Sequence, residues 1–135
     1  MDGEVRVGTS GWSYPSGRGT WNGIFYPPAG RRKVDELAYY AEHFNTVEVN
    51  STFYRLPRAE TARSWARRTP PGFDFSIKLF QAFTHPTMAA ARGKGGKREA
   101  EGRQADVTVP AVTQADVDEF RASIGPLAAD CASGK

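Results

Sequence analysis

Hydrophobic and polar residues alternate with a period of two in three short stretches of this chain. In Glu4–Gly8, Val5 and Val7 share one face and Arg6 and Gly8 the other. In the run TVEVN, Val47 and Val49 oppose Glu48 and Asn50. In Phe73–Leu79, Phe73, Phe75 and Ile77 oppose Asp74, Ser76 and Lys78. A period of two is that of a strand. Three other stretches carry a helical stripe. Val34–Phe44 places Val34, Leu37, Ala38, Ala41 and Phe44 on one side, with Asn45 as its stop. Arg58–Arg68 buries Ala59, Ala62, Trp65 and Ala66, and Thr69-Pro70-Pro71-Gly72 ends it. Thr113–Ala129 aligns Val117, Phe120, Ile124 and Leu127 behind Thr113 and Asp116, which resemble a capping box. Gly125-Pro126 should kink or break this third helix, because proline removes a backbone donor.

Strands alternating with helices predict parallel pairing through right-handed crossovers. A doubly wound sheet is covered on both faces, and its strands read as continuous apolar runs. Here each strand is apolar on one side only. That pattern suits a barrel, with apolar side chains toward the helices and polar ones toward a lumen. The expected fold class is therefore α/β, a partial TIM-type (β/α)8 barrel comprising the first three βα units with parallel strands. A barrel of eight units needs about 250 residues, and the 135 residues present suffice for three. The expected organisation is βα units over residues 1–86, an insertion over 87–112, and the third helix with a truncated end over 113–135. A sheet of three strands would carry two open edges.

Composition changes this picture little. The formal net charge is +3, a mild excess that a solvated, arginine-rich surface accounts for. Cys131 is the single cysteine, so no intrachain disulfide forms and a reducing compartment fits. With two histidines besides, scattered, no zinc spacing exists and no metal site is expected. No apolar leader or membrane-length run is present, which predicts a cytoplasmic protein with no membrane partner. The insertion is rich in Ala, Gly, Lys, Arg and Glu and lacks an apolar period, so a flexible loop is expected. Its Arg92, Lys94, Lys97, Arg98 and Arg103 could meet nucleic acid, but no aromatic residue interleaves them to stack on bases.

Chemistry gathers where strands end. Glu48 and Lys78 are the catalytic candidates. In a lumen, Glu48 serves as general base or cation ligand; the structural alternative is an ion pair with Arg6 or Lys78. Lys78 would bind an anion or form a Schiff base, or else pair with Glu48. The candidates for substrate binding are Trp12, Asn50, Tyr54, Arg55 and His85. Arg55 suits a bidentate grip on phosphate or carboxylate, against an exposed loop cap. His85 suits acid–base work, against a loop fixed by a hydrogen bond to backbone. Trp12, Tyr14, Phe53 and Tyr54 suit an aromatic wall for a sugar or base, against rim packing. Asn50 and Ser51 would orient substrate or stitch the loop. Gly8 and Gly11 permit a tight turn or a close backbone approach, yet neither a GxGxxG nor a Walker loop is formed. No nucleophile elbow is present either.

Several of these segments together resemble one family. They are GTSGWSY at 8–14, W-x-G-x-F-Y-P at 21–27, TVEVNSTFYRLP at 46–57, Trp65 with Thr69-Pro70, and F-x-F-x-I-K followed by Phe83-Thr84-His85-Pro86. Order and approximate spacing over residues 5–86 are similar to the DUF72, or YecE-like, family. The helix at 113–129 is similar in position and weakly in sequence. The loop between Tyr14 and Trp21 is longer than the family pattern, and Met88–Val112 resembles an insertion. The resemblance implies a TIM-type barrel with its site at the carboxyl ends of the strands. It names no reaction and leaves the cofactor open.

Three functions follow as expectations. The first is an enzyme, in the full-length parent, acting on a small polar or anionic substrate at the barrel mouth. The second is a nucleic-acid or other anion-binding module, whose affinity would fall steeply with salt and depend on residues 92–103. The third is an inactive truncated fragment.

Overall fold

The computed structural model describes residues 3–28, 30, 33–87 and 111–132. Its elements are α1 (Glu36–Ala41), β1 (Thr46–Val49), α2 (Ser51–Tyr54), α3 (Ala59–Arg67), β2 (Asp74–Ile77), α4 (Gln81–Thr84) and a long helix, α5 (Gln114–Ala132). β1 and β2 pair in parallel, with Val47 opposite Phe75, Glu48 opposite Ser76 and Val49 opposite Ile77. The connection through α3 makes this a βαβ unit.

The period-two pattern resolves as expected in these two strands. Val47 and Val49 are buried, whereas Glu48 and Ser76 point to the other side. One core forms on the apolar side from Leu37, Tyr40, Ala41, Val47, Val49, Ala62, Trp65, Phe73 and Leu127. Each fully buried aliphatic side chain in it contributes about 1.5–3 kcal/mol. An aromatic layer lies over one edge of this core. Trp21 stacks on Tyr40, and Phe25 packs edge-on against Tyr39, Tyr40 and His43. Tyr26 is buried there and donates its hydroxyl proton to the Trp12 carbonyl. Burial foremost, then the charge of Glu36, raises the Tyr26 phenol far above its ordinary value, so it remains a donor.

The segment 4–8 departs from the expected strand. It runs extended beside β1, but ladder pairing is reduced to one parallel bridge, Ser10 to Glu48. The Glu48 N–H donates to the Thr9 carbonyl, and the Gly11 N–H donates to the Glu48 carbonyl. Further back, a side chain replaces the ladder. The Asn45 amide accepts from the Val7 N–H at 2.7 Å and donates to the Val5 carbonyl at 3.1 Å. Asn45 thus serves the neighbouring segment rather than stopping α1, whose C-cap is Glu42. Gly8 is needed for this approach, since a Cβ there would lie 1.9 Å from the Thr46 carbonyl oxygen. Gly11 has φ +81°, which glycine adopts without strain. Val5 and Val7 stay 77% and 57% exposed, because no described element covers them.

Two helix boundaries also shift. α1 begins after Asp35, whose carboxylate accepts from the Ala38 N–H, so Val34 precedes the helix. α5 runs continuously through Pro126 to Ala132 instead of breaking there. The lost proline donor affects a single turn, while Ser123 and Leu127 on either side are buried and the Ser123 hydroxyl anchors on the Pro57 carbonyl at 2.5 Å. The Thr113/Asp116 capping box forms as predicted. The Asp116 N–H donates to Thr113 Oγ1, and Asp116 Oδ2 accepts from the Thr113 N–H at 2.7 Å.

Candidate functional site

The side of the sheet away from the core is polar along its length. At the amino end, Arg6 reaches across to β2, with Nε 3.1 Å from Asp74 Oδ2, and it also bonds Glu4 and the Gly72 carbonyl. In the middle sit Glu48 and Ser76, opposite each other in the ladder. Lys78 follows one residue after β2 and is in phase with Ser76. The predicted pairing of Glu48 with Arg6 or Lys78 does not form: Arg6 is committed to Glu4 and Asp74, and among the described residues Glu48 has no ion pair. Glu48 is held in place by its backbone, bonded to Thr9 on one side and Gly11 on the other. Its half-buried carboxylate remains available to a ligand or a further chain segment.

At the carboxyl end, the loop after the first segment meets the end of β1 and borders an open pocket of about 230 Å³. Ser10–Tyr14 and Val49–Ser51 line it. The Asn50 amide donates to Ser10 Oγ. Asn50 Oδ1 is buried and has no partner among the described residues. A buried acceptor left unpaired costs about 1–3 kcal/mol. Trp12, half-buried, packs edge-on against Trp65 at 5.4 Å, so the core fixes its ring. Tyr14 packs on Trp21 and donates its hydroxyl proton to the Ser10 carbonyl. The Tyr14 side chain therefore clamps the backbone of the turn at Gly11, while the Ser10 hydroxyl meets Asn50.

A second group assembles beside β2. The Lys78 ammonium lies 5.5 Å from the centre of the Phe53 ring, a cation–π contact rather than an ion pair. His85 packs edge-on against the same ring, and its Nδ1 bonds the neighbouring Thr84 hydroxyl at 2.8 Å instead of a backbone group. Tyr54 packs against Phe53 as well, at 5.1 Å. Beneath them Thr52 is fully buried. Its one hydroxyl proton is shared between the Val49 and Lys78 carbonyls, at 2.8 and 2.7 Å. That bond ties the ends of the two strands together and sets the separation of the two groups. Arg55 lies just past α2, exposed, and its N–H caps the helix on Ser51.

The structure thus divides the sequence-derived candidates. Trp12 and Asn50 share the pocket, Lys78, His85 and Tyr54 gather around Phe53, Glu48 lies between on the polar face, and Arg55 stands outside. Sequence reasoning passed over Ser10 and Thr52 as positioned groups. The signal for Ser10 was its place in GTSGWSY, directly after the first segment. A cation-ligand role for Glu48 would need companions, and among the described residues no three His, Cys, Asp or Glu side chains converge. A wider cleft of about 620 Å³ lies behind Trp12, beside Asp35 and Arg68. Those two residues line it and form a bidentate ion pair, down to 2.6 Å. The basic residues 92–103 fall outside the described residues.

A parallel α/β unit with polar residues along one sheet face, and a pocket where its strands end, is the class of protein these observations define. Comparison with known proteins gives the family: residues 6–133 match the model of "Protein of unknown function DUF72", and the chain belongs to that family. It is 30% identical over 80 residues to the UPF0759 protein YunF of Bacillus subtilis (strain 168), an overlap covering 59% of this chain and 26% of YunF. It is 32% identical over 81 residues to the UPF0759 protein YecE of Escherichia coli (strain K12), covering 60% of this chain and 25% of YecE. A solved DUF72 family protein of Enterococcus faecalis V583 superposes with a TM-score of 0.58 at 20% identity, over 94% of this chain and 36% of that one. This chain therefore spans about a quarter of the length of its curated relatives. No helix among the described residues is long and apolar enough to cross a membrane.

Proposed function

We propose that the chain forms one sector of a TIM-type barrel. Its polar sheet face is part of the lumen, and the carboxyl ends of its strands are part of the mouth of an enzyme acting on a small polar or anionic substrate. The observation that carries this reading is that Glu48 and Ser76 sit opposite each other on the polar side of the parallel ladder, with Lys78 two residues further on in the same phase. In a barrel such groups converge from successive strands toward one substrate. Glu48 acts as general base, because it is half-buried, fixed by backbone bonds on both sides and without an ion-pair partner among the described residues. Lys78 and Arg55 supply positive charge at the rim. The fold by itself assigns no reaction. Completing the lumen requires strands beyond β1 and β2, and the coverage of 36% of the Enterococcus faecalis protein is consistent with a sector of a larger barrel.

The test is a screen of small polar and anionic metabolites for turnover by this chain together with the remaining barrel sector of a relative, followed by Glu48→Gln. Loss of a general base lowers turnover by about 10²–10⁴-fold. Turnover equal to that of the unaltered protein would remove Glu48 from the chemistry.

A further inference from the structure

We propose that Lys78 and His85, gathered around the Phe53 ring at the carboxyl end of β2, form a subsite for the terminal oxyanion, a phosphate or carboxylate, of a small molecule. This deepens the barrel-mouth reading and rests on it for the position of the site. It narrows the substrate to an anion and adds His85 to the groups that hold it. Charge is the first ground. Lys78 and His85 are both exposed, and every ion pair among the described residues is made elsewhere. The Lys78 ammonium lies 5.5 Å from the centre of the Phe53 ring, whose face holds the cation and supplies no counter-charge.

Anchoring is the second ground. The Lys78 N–H donates to the Val49 carbonyl at 3.2 Å, and the Lys78 carbonyl accepts from the buried Thr52 hydroxyl at 2.7 Å. The His85 N–H donates to the Gln81 carbonyl at 2.6 Å, and the imidazole packs edge-on against Phe53. Its Nδ1 meets Thr84 Oγ1. With the Thr84 hydroxyl as donor, the ring proton sits on Nε2, for which the described residues supply no acceptor. An ammonium and an imidazole N–H are both donors. An oxyanion brings several acceptors and the missing negative charge together. Groups already held in place lose less freedom when a ligand arrives. The register gives the direction of the ligand. Ser76 faces Glu48 in the ladder, and Lys78 lies two residues nearer the carboxyl end. Two strand residues span about 6–7 Å. The oxyanion is therefore held toward the mouth, away from the like-charged Glu48 carboxylate, and the uncharged part of the molecule extends inward past Ser76.

The experiment uses the full 135-residue chain, titrated with inorganic phosphate, with acetate and, as the uncharged control, with glycerol. Binding is read from the NMR signals of the His85 ring and of the Lys78 methylene next to its nitrogen. At least one anion is expected to shift both signals saturably, more weakly as salt is raised, and glycerol to leave both unchanged. Tighter binding of phosphate would mark a phosphorylated substrate, and tighter binding of acetate a carboxylated one. Read from the His85 ring, Lys78→Gln should weaken binding about tenfold or more. Lys78→Arg keeps the charge, should hold binding within about threefold and serves as the folded control. Neither anion shifting both signals, glycerol shifting them as strongly, or Lys78→Gln retaining full affinity would each overturn the subsite. None of these readings uses turnover. Anion binding with a fully active Glu48→Gln would therefore sink the catalytic reading alone, and Glu48-dependent turnover without anion binding would sink the oxyanion subsite alone.

Discussion

The two faces of the small sheet are built from the same two strands and have opposite economies. On one face Val47, Val49, Phe75 and Ile77 pack against Leu37, Tyr40, Ala62 and Trp65. On the other, Arg6 pairs with Asp74 and Glu4, Lys78 lies over the Phe53 ring, and Glu48 and Ser76 face each other in the ladder without an ion pair among the described residues. Apolar packing needs only volume, and a few helices supply it. Polar groups each need a partner of the right chemistry at hydrogen-bond distance, and a pair of strands cannot supply one to itself. Apolar packing is therefore concentrated on one face, and polar side chains on the other.

Substitutions on the two faces should break apart accordingly. The largest effect is expected from Leu37→Ala, a fully buried core position. It should cost about 2–5 kcal/mol by urea unfolding, and a value near zero would mean that the core contributes little. Gly8→Ala comes next, at about 1–3 kcal/mol, because the new methyl meets the Thr46 carbonyl. The loss should be accompanied by faster amide exchange at Glu48 and Gly11, whose bonds the same approach creates. Thr52→Val keeps the shape and removes the shared hydroxyl bond, for about 1–2 kcal/mol. It should also loosen the Lys78–Phe53 contact, seen as a shift of the Phe53 ring signals.

Smaller still is the acid response of Asp35. Its hydrogen bonds from Arg68, foremost, hold its carboxyl below the ordinary carboxylate range. The unfolded chain then takes up the proton more readily than the folded one. The contribution is fully present above about pH 4 and is lost as pH falls through the lower folded-state value. Both partners are partly exposed, so Asp35→Asn should cost no more than about 1 kcal/mol at neutral pH and flatten that acid limb. The smallest stability change belongs to Glu48→Gln, expected within about 0.5 kcal/mol of the unaltered chain. A large loss there would show that Glu48 has a structural partner, and the contrast between the faces would disappear.

The legible part of the fold was the part governed by local repetition. Val47/Val49 and Phe75/Ile77 announced strands whose apolar side is now seen against the core. The stripes through Leu37, Trp65 and Leu127 announced three helices. The capping box at Thr113 and Asp116 was readable because its partners are three residues apart. The first segment misled for a physical reason. Val5 and Val7 alternate like strand residues, but pairing depends on a neighbour, and the neighbour offers the Asn45 side chain where a ladder was expected. Pro126 misled likewise, since packing around Ser123 and Leu127 on either side of it outweighs one missing donor.

The site divides along the same line. From the order of residues alone came the parallel strand–helix–strand connection, the single polar face and the concentration of chemistry after Val49 and Ile77, all consequences of side-chain period and chain direction. Only the tertiary structure decided that Glu48 stands without Arg6 or Lys78, that Ser10 and Asn50 meet across 40 positions, and that the Asn50 amide oxygen is buried with no partner among the described residues. Partnership between distant groups depends on where the backbone brings them. No spacing along the chain encodes that.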